Sequence, residues 1–144
     1  MEQRSSRWFL ICARVLIAIV FLLNGFGIIN QAIPAGEMME RGVPPAVVPF
    51  AMFAGRFLEI VAGFGLALGI LPRWCAMALL AFLVPATFVS HSFWLAAGTP
   101  QLQGQLINFS KNLAIWGGLV FIAGIANQPS LLPRNNVVSK TSTI

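Results

Sequence analysis

The sequence predicts an all-α integral membrane protein, a four-helix bundle with both termini in the cytoplasm, and three observations carry that reading. Of its 144 residues 58% are hydrophobic and only 9% charged, with a mean hydropathy of +0.83. A soluble domain cannot hide that much apolar surface. Four apolar segments, residues 8–29, 47–71, 74–97 and 106–126, each approach the roughly 20 residues that cross a bilayer as a helix. Spanning strands would alternate in polarity over about 10 residues, and no segment of this sequence does so.

The first segment follows Arg4 and Arg7 and resembles a signal peptide, but its run exceeds the usual 7–15 residues (about twice) and it lacks a small-residue exit, so it is expected to stay in the mature chain. Residues 30–46 form the longest loop. Its Met38-Met39-Glu40 run predicts one short interfacial helical turn, and Pro44-Pro45 argue against a continuous helix. In the second segment Gly63, Gly65 and Gly69, and in the fourth Gly117, Gly118 and Gly124, are small residues that let helix backbones approach, here within one chain. Pro85 interrupts the third segment; it removes a backbone donor, frees the carbonyl of Ala81 and predicts a kink. Residues 1–126 read as one domain, and residues 127–144, polar with Pro129 and Pro133, as a disordered cytoplasmic tail.

Lysine and arginine positions set the orientation. Arg4, Arg7, Arg73, Arg134 and Lys140 fall on one side, Arg41 with Glu37 and Glu40 on the other, which puts both termini inside. The formal charge of +5 is then an anchor at anionic lipid headgroups rather than a nucleic-acid footprint. A multi-pass protein of a bacterial inner membrane is expected. Cys12 and Cys75 lie near cytoplasmic helix ends, where disulfides are uncommon, and read as small apolar core residues. With one histidine and no cysteine pair or carboxylate cluster at ligand spacing, no metal site is expected.

Five ionisable residues interrupt the apolar segments: Arg14, Arg56, Glu59, His91 and Lys111. Charges in hydrocarbon are costly and mark function. At about 1.5 Å of rise per residue, Glu59 lies about 18 Å above the cytoplasmic end, Arg56 and Lys111 about 22 Å, Asn24 about 24 Å and His91 about 25 Å. Helical spacing puts Arg56 with Glu59, Thr87 with His91, and Gln105 with Asn108 and Asn112 on shared faces. All four helices thus contribute to one predicted polar layer of Asn24, Arg56, Glu59, Thr87, His91, Lys111 and Asn112. Arg14, at about 9 Å, either snorkels to the cytoplasmic headgroups or stretches up to Glu59. Excess positive charge suits an electron-rich or anionic ligand; the alternative is a polar lock that only fixes helix register. Catalytic residues are not identifiable.

Arg14, Glu59 ahead of Gly63-x-Gly65-Leu66-x-Leu68-Gly69-Ile70-Leu71-Pro72-Arg73, His91, and Lys111-Asn112 ahead of Ala114-Ile115-Trp116-Gly117-Gly118 resemble the DoxX family over residues 7–126. Family members often carry a lysine just after the glycine near the end of the first helix; here Gly25-Phe26-Gly27 is followed by Ile28-Ile29. The resemblance implies a small four-helix membrane protein, several of its relatives being named from a subunit of an archaeal thiosulfate:quinone oxidoreductase. The resemblance supports a shared site without identifying its ligand; the leading expectation is an accessory membrane subunit of a redox system whose polar layer meets a quinone or a small anionic sulfur or oxygen compound, with Arg56 and Lys111 on the ligand oxygens, Glu59 orienting them and exchanging protons, and His91 donating a hydrogen bond or passing a proton. No redox centre is encoded, so a quinone as cofactor or a redox-enzyme partner is needed, and the isolated chain is not expected to be catalytic. A scaffold for soluble redox or stress-response enzymes and a small transporter are the alternatives, and homo-oligomers are compatible with either.

Overall fold

The computed structural model describes residues 2–30 and 32–126. The tail, 127–144, with Arg134 and Lys140, lies outside the described residues. Five α-helices follow in order: α1 Glu2–Gly25, α2 Ala32–Glu40, α3 Val48–Leu68, α4 Pro72–Ser90 and α5 Leu102–Ile125, with a 3-10 turn at Phe93–Ala96. Four helical stretches are long and apolar enough to cross a membrane: Arg7–Gly25, Val48–Leu68, Pro72–Ala96 and Leu102–Ile125. The chain is a multi-pass membrane protein.

The loop expected to hold one helical turn holds the nine-residue α2 instead. Pro34 is compatible with it because it stands in the first turn, where no intrahelical donor is missed, while Pro44 and Pro45 fall beyond its end. The third segment is also shorter than expected. Its helix stops at Ser90, His91 leaves helical geometry at φ −131° and ψ 50°, and residues 93–96 turn back as 3-10. Pro85 sits inside α4.

In the bundle α3 packs between α1 and α4, α4 between α3 and α5, and α5 returns to touch α1. Phe21, Leu66, Leu79 and Leu119 are fully enclosed at its centre. Glycine sets the close approaches: a Cβ on Gly25 would stand 2.7 Å from Ile60 Cγ1, and one on Gly63 3.1 Å from Leu22 Cδ2. Across α3 and α4, Gly55 faces the Phe82 ring and Gly65 faces Cys75 Sγ, which fixes the antiparallel register. Because Gly25 lies against Ile60, α1 stops while α3 still has 12 residues, about 18 Å, to run. There α2 takes over, packing on α3 and α4.

Helices α1 and α3 terminate alike. Gly27 at φ 73° and Gly69 at φ 74° occupy the left-handed position of the closing turn. Gly27 N–H donates to Asn24 O (2.9 Å) and Ile28 N–H to Leu23 O (3.0 Å); Gly69 N–H donates to Leu66 O (3.2 Å) and Ile70 N–H to Gly65 O (2.8 Å). Both are Schellman closures. Each is overlain by an arginine of the neighbouring helix: Arg56 of α3 above Gly27, Arg14 of α1 above Gly69. A cation at a helix C-terminus meets the negative end of the macrodipole. Alanine at Gly27 or Gly69 would be strained in φ and would push on a guanidinium, and each substitution is expected to cost about 1–3 kcal/mol. Alanine at Gly117, where a Cβ meets open space, is expected to cost nothing; thermal unfolding midpoints of the three variants in detergent check this contrast.

Candidate functional site

Between α1 and α3 the site is built on a buried carboxylate. Glu59 is 3% exposed, and Asn24 Nδ2 donates to both of its oxygens at 2.7 Å. Their helices meet this closely because Gly25 presents no side chain to Ile60 and Glu59. Arg56, three residues before Glu59, points elsewhere: its Nε donates to Gly25 O at 2.9 Å and its guanidinium lies over Gly27, where a Cβ would stand 2.9 Å from Nη2. The side chain of Arg56 is exposed. The two stand about 60° apart around the helix, and the length of the arginine side chain carries its guanidinium past the end of α1 while Glu59 stays against Asn24. From Arg56 an apolar groove of about 350 Å³ runs between α2 and α3, past Phe53, Met52, Pro49 and Val48 to Ala35.

A second polar group joins α4 to α5. Thr87, fully buried, donates to Leu83 O (2.7 Å) and accepts from Asn112 Nδ2 (2.9 Å). Near the helix end His91 Nδ1 meets Gln105 Oε1 at 3.1 Å. Phe88, Phe93, Trp94, Phe109 and Trp116 pack ring on ring around this pair of helices. Beside them Arg41 ties α2 down, its Nη2 donating to Ser92 Oγ (2.9 Å) and its Nη1 to Glu37 O (3.0 Å), while Ser92 Oγ donates to Phe88 O.

The single predicted layer is therefore two groups at two heights. Glu59 lies nine residues from the end of α3 at Leu68, about 14 Å, whereas Thr87 lies 15 residues from the start of α4 at Pro72, about 22 Å. The Gly65–Cys75 register puts those two helix ends side by side. Asn24 joins Glu59 and Asn112 joins Thr87, but neither Lys111 nor His91 meets the Glu59 group. Lys111 is exposed on the outward face of α5, beside an open groove of about 520 Å³. Arg14 lies at Gly69, away from Glu59, and its Nε is buried without a hydrogen-bond partner. Cys12 is exposed, not core, and Cys75 is half-buried with Sγ 3.3 Å from Ile70 O. Among the described residues no group of three or more His, Cys, Asp or Glu side chains is placed to hold a metal.

Sequence reasoning missed two contributors. Gly25 and Gly27 open the approach for Glu59 and Arg56, and Arg41 with Ser92 positions α2; the Asn24-Gly25-Phe26-Gly27 run carried the first signal, and nothing local carried the second. Truncating Asn24 leaves a buried carboxylate with its amide donor gone, so Asn24→Leu is expected to destabilise by about 1–3 kcal/mol. Removing both members, in Asn24→Leu with Glu59→Leu, is expected to recover much of that loss. The same Asn24→Leu change is expected to add independently to Thr87→Val, as thermal unfolding of the single and double variants checks.

Comparison with known proteins agrees with this architecture. No curated protein and no solved structure matches the chain significantly. The DoxX family model matches residues 9–92, more than half of the sequence, from the first span through the end of α4 with Arg14, Arg56, Glu59 and His91 inside it. This chain belongs to the DoxX family.

Proposed function

We propose that the chain is an accessory subunit of a quinone-linked redox system, held in a bacterial inner membrane with both termini in the cytoplasm, and that the groove between α2 and α3 takes the quinone headgroup. One observation carries the reading: an apolar groove on a membrane-spanning helix ends on the exposed guanidinium of Arg56. A quinone ring is flat and apolar, and its ketone oxygens only accept hydrogen bonds. Arg56 commits Nε to Gly25 O and has further N–H groups for such an oxygen. Phe53, Met52 and Pro49 supply the apolar walls.

A bound quinone would supply the two-electron redox chemistry that no side chain of this sequence provides. The residues themselves bind, orient and hold protons. Arg56 orients the oxygen nearest α1. Glu59, one turn along α3 from Arg56 and enclosed behind Asn24, is the one carboxylate of that helix, and in this reading it is the group that takes up and returns the site's proton. Lys111 and His91, far from the groove, take no part in holding the headgroup. Positive residues concentrated on the side of the chain termini give the orientation.

Thermal stability of the purified protein with a short-chain quinone analogue tests the proposal. At an analogue concentration of about 100 times Kd the parent is expected to gain about 2.7 kcal/mol. Arg56→Gln is expected to lose most of that gain and His91→Ala to keep it. No shift in the parent, as the scaffold alternative requires, or an undiminished shift in Arg56→Gln, would remove the groove as the site.

A further inference from the structure

Helix α5 is the least enclosed of the four spans, with 11% of its apolar window buried. Its outward face is not purely apolar. Gln103, Ser110 and Lys111 line the open groove on that face together with Leu106, Ile107 and Ala114. Ser110 is satisfied within the helix, Oγ donating to Leu106 O at 2.8 Å, whereas Lys111 is a cation turned away from its own bundle. Charged side chains in spanning helices ordinarily face a bundle interior or a water-filled cavity. Lys111 lies nine residues from the start of the span at Leu102, about 14 Å inside it.

We propose that this face of α5 is a docking surface for a transmembrane helix of a different protein, one that carries a carboxylate at the depth of Lys111. Charge decides the occupant. A second copy of this chain offers four carboxylates, and none suits: Glu59 is sealed behind Asn24, Glu37 and Glu40 stand on α2, which packs on α3 and α4 and not on α5, and Glu2 opens α1 at the other end of the bundle. The ion pair must therefore be completed by another chain. Gly104 and Gly117 on the same helix have open space where a Cβ would stand, so the partner backbone meets no bulk there. A buried pair with a carboxylate fixes partner and register together. The inference stands apart from the quinone groove, on the opposite side of α4.

The test uses the full chain in phosphatidylcholine vesicles with a fluorescent single-span leucine-rich peptide bearing one glutamate a third of the way along its span, at pH 8, read by energy transfer. The glutamate peptide is expected to bind the parent at least tenfold more tightly than its glutamine counterpart. Lys111→Leu is expected to abolish that preference and Lys111→Arg to retain it. Equal binding of the two peptides, as headgroup-bound Lys111 would give, overturns the proposal, as does a preference that survives Lys111→Leu. Energy transfer between labelled copies of the chain that vanishes in Lys111→Leu also overturns it, in favour of a homodimer. An unchanged unfolding midpoint and quinone shift in Lys111→Leu separate this outcome from a failure of the fold or of the quinone reading.

Discussion

The fold depends on how two helix ends are closed. The last carbonyls of a helix lack intrahelical donors, and in hydrocarbon an unmet carbonyl costs several kcal/mol (roughly). Helices α1 and α3 run antiparallel and solve the problem for each other. Each ends in a glycine at positive φ whose turn returns backbone N–H groups to the last carbonyls, and each lends an arginine to the other's end. The two arginines are long enough to cross between helices, and their charge is favoured at the negative pole of the dipole. This exchange removes two cations from the cost of insertion by giving them a structural destination. It also fixes the relative height of α1 and α3, which in turn decides what Glu59 can meet.

That height has a consequence for the site. Since α1 ends opposite Ile60, it delivers Asn24 to Glu59 and its terminal carbonyl to Arg56, and leaves the rest of α3 to α2. A nine-residue helix cannot cover what a full span would. The groove beside Met52 and Phe53 is the uncovered remainder, and Arg56 stands at its inner limit because the same residue closes α1. The structural role of Arg56 and its place at the groove are thus one geometry: Nε holds the backbone of Gly25, the guanidinium lies over Gly27, and the residue lines the groove's inner end. The Arg41–Ser92 bond holds α2 in place from the far side, through α4.

The four spans, the absence of strands among the described residues and the inward, hydrogen-bonded placement of Asn24, Glu59, Thr87 and Asn112 were legible because hydropathy and helical period are local properties of the sequence. Heights were not. A ruler counted from presumed helix ends put Asn24 about 24 Å up, with Glu59 at about 18 Å, yet the two touch. The error entered through the zero of the ruler: α1 begins at Glu2 and extends past the end of α3, whose closing Gly69 meets α1 at Arg14 rather than near Trp8. Register between helices is set by which small residues meet, here Gly25 with Ile60 and Gly55 with Phe82, and that information is pairwise. Outward or inward facing failed for the same reason. Lys111 and Asn112 are adjacent in sequence and about 100° apart on the helix, so one is held by Thr87 while the other leaves the bundle.

The separation into two polar groups bears on what such a small bundle can do. A lock that only fixed register would need no acid, and the α4–α5 group has none, with Asn112 paired to Thr87 and His91 to Gln105. The α1–α3 group differs because it includes an acid that a neutral amide would serve equally well as a lock. A glutamine at Glu59 would accept from Asn24 without the desolvation that a carboxylate incurs. Retaining the acid makes sense where the proton itself is used, which is the role the proposed function gives it. Lys111 extends the same reasoning to the protein's exterior. It is the one ionisable side chain of α5, and α5 turns it outward, so it is the residue on which the proposed partner helix would be recognised.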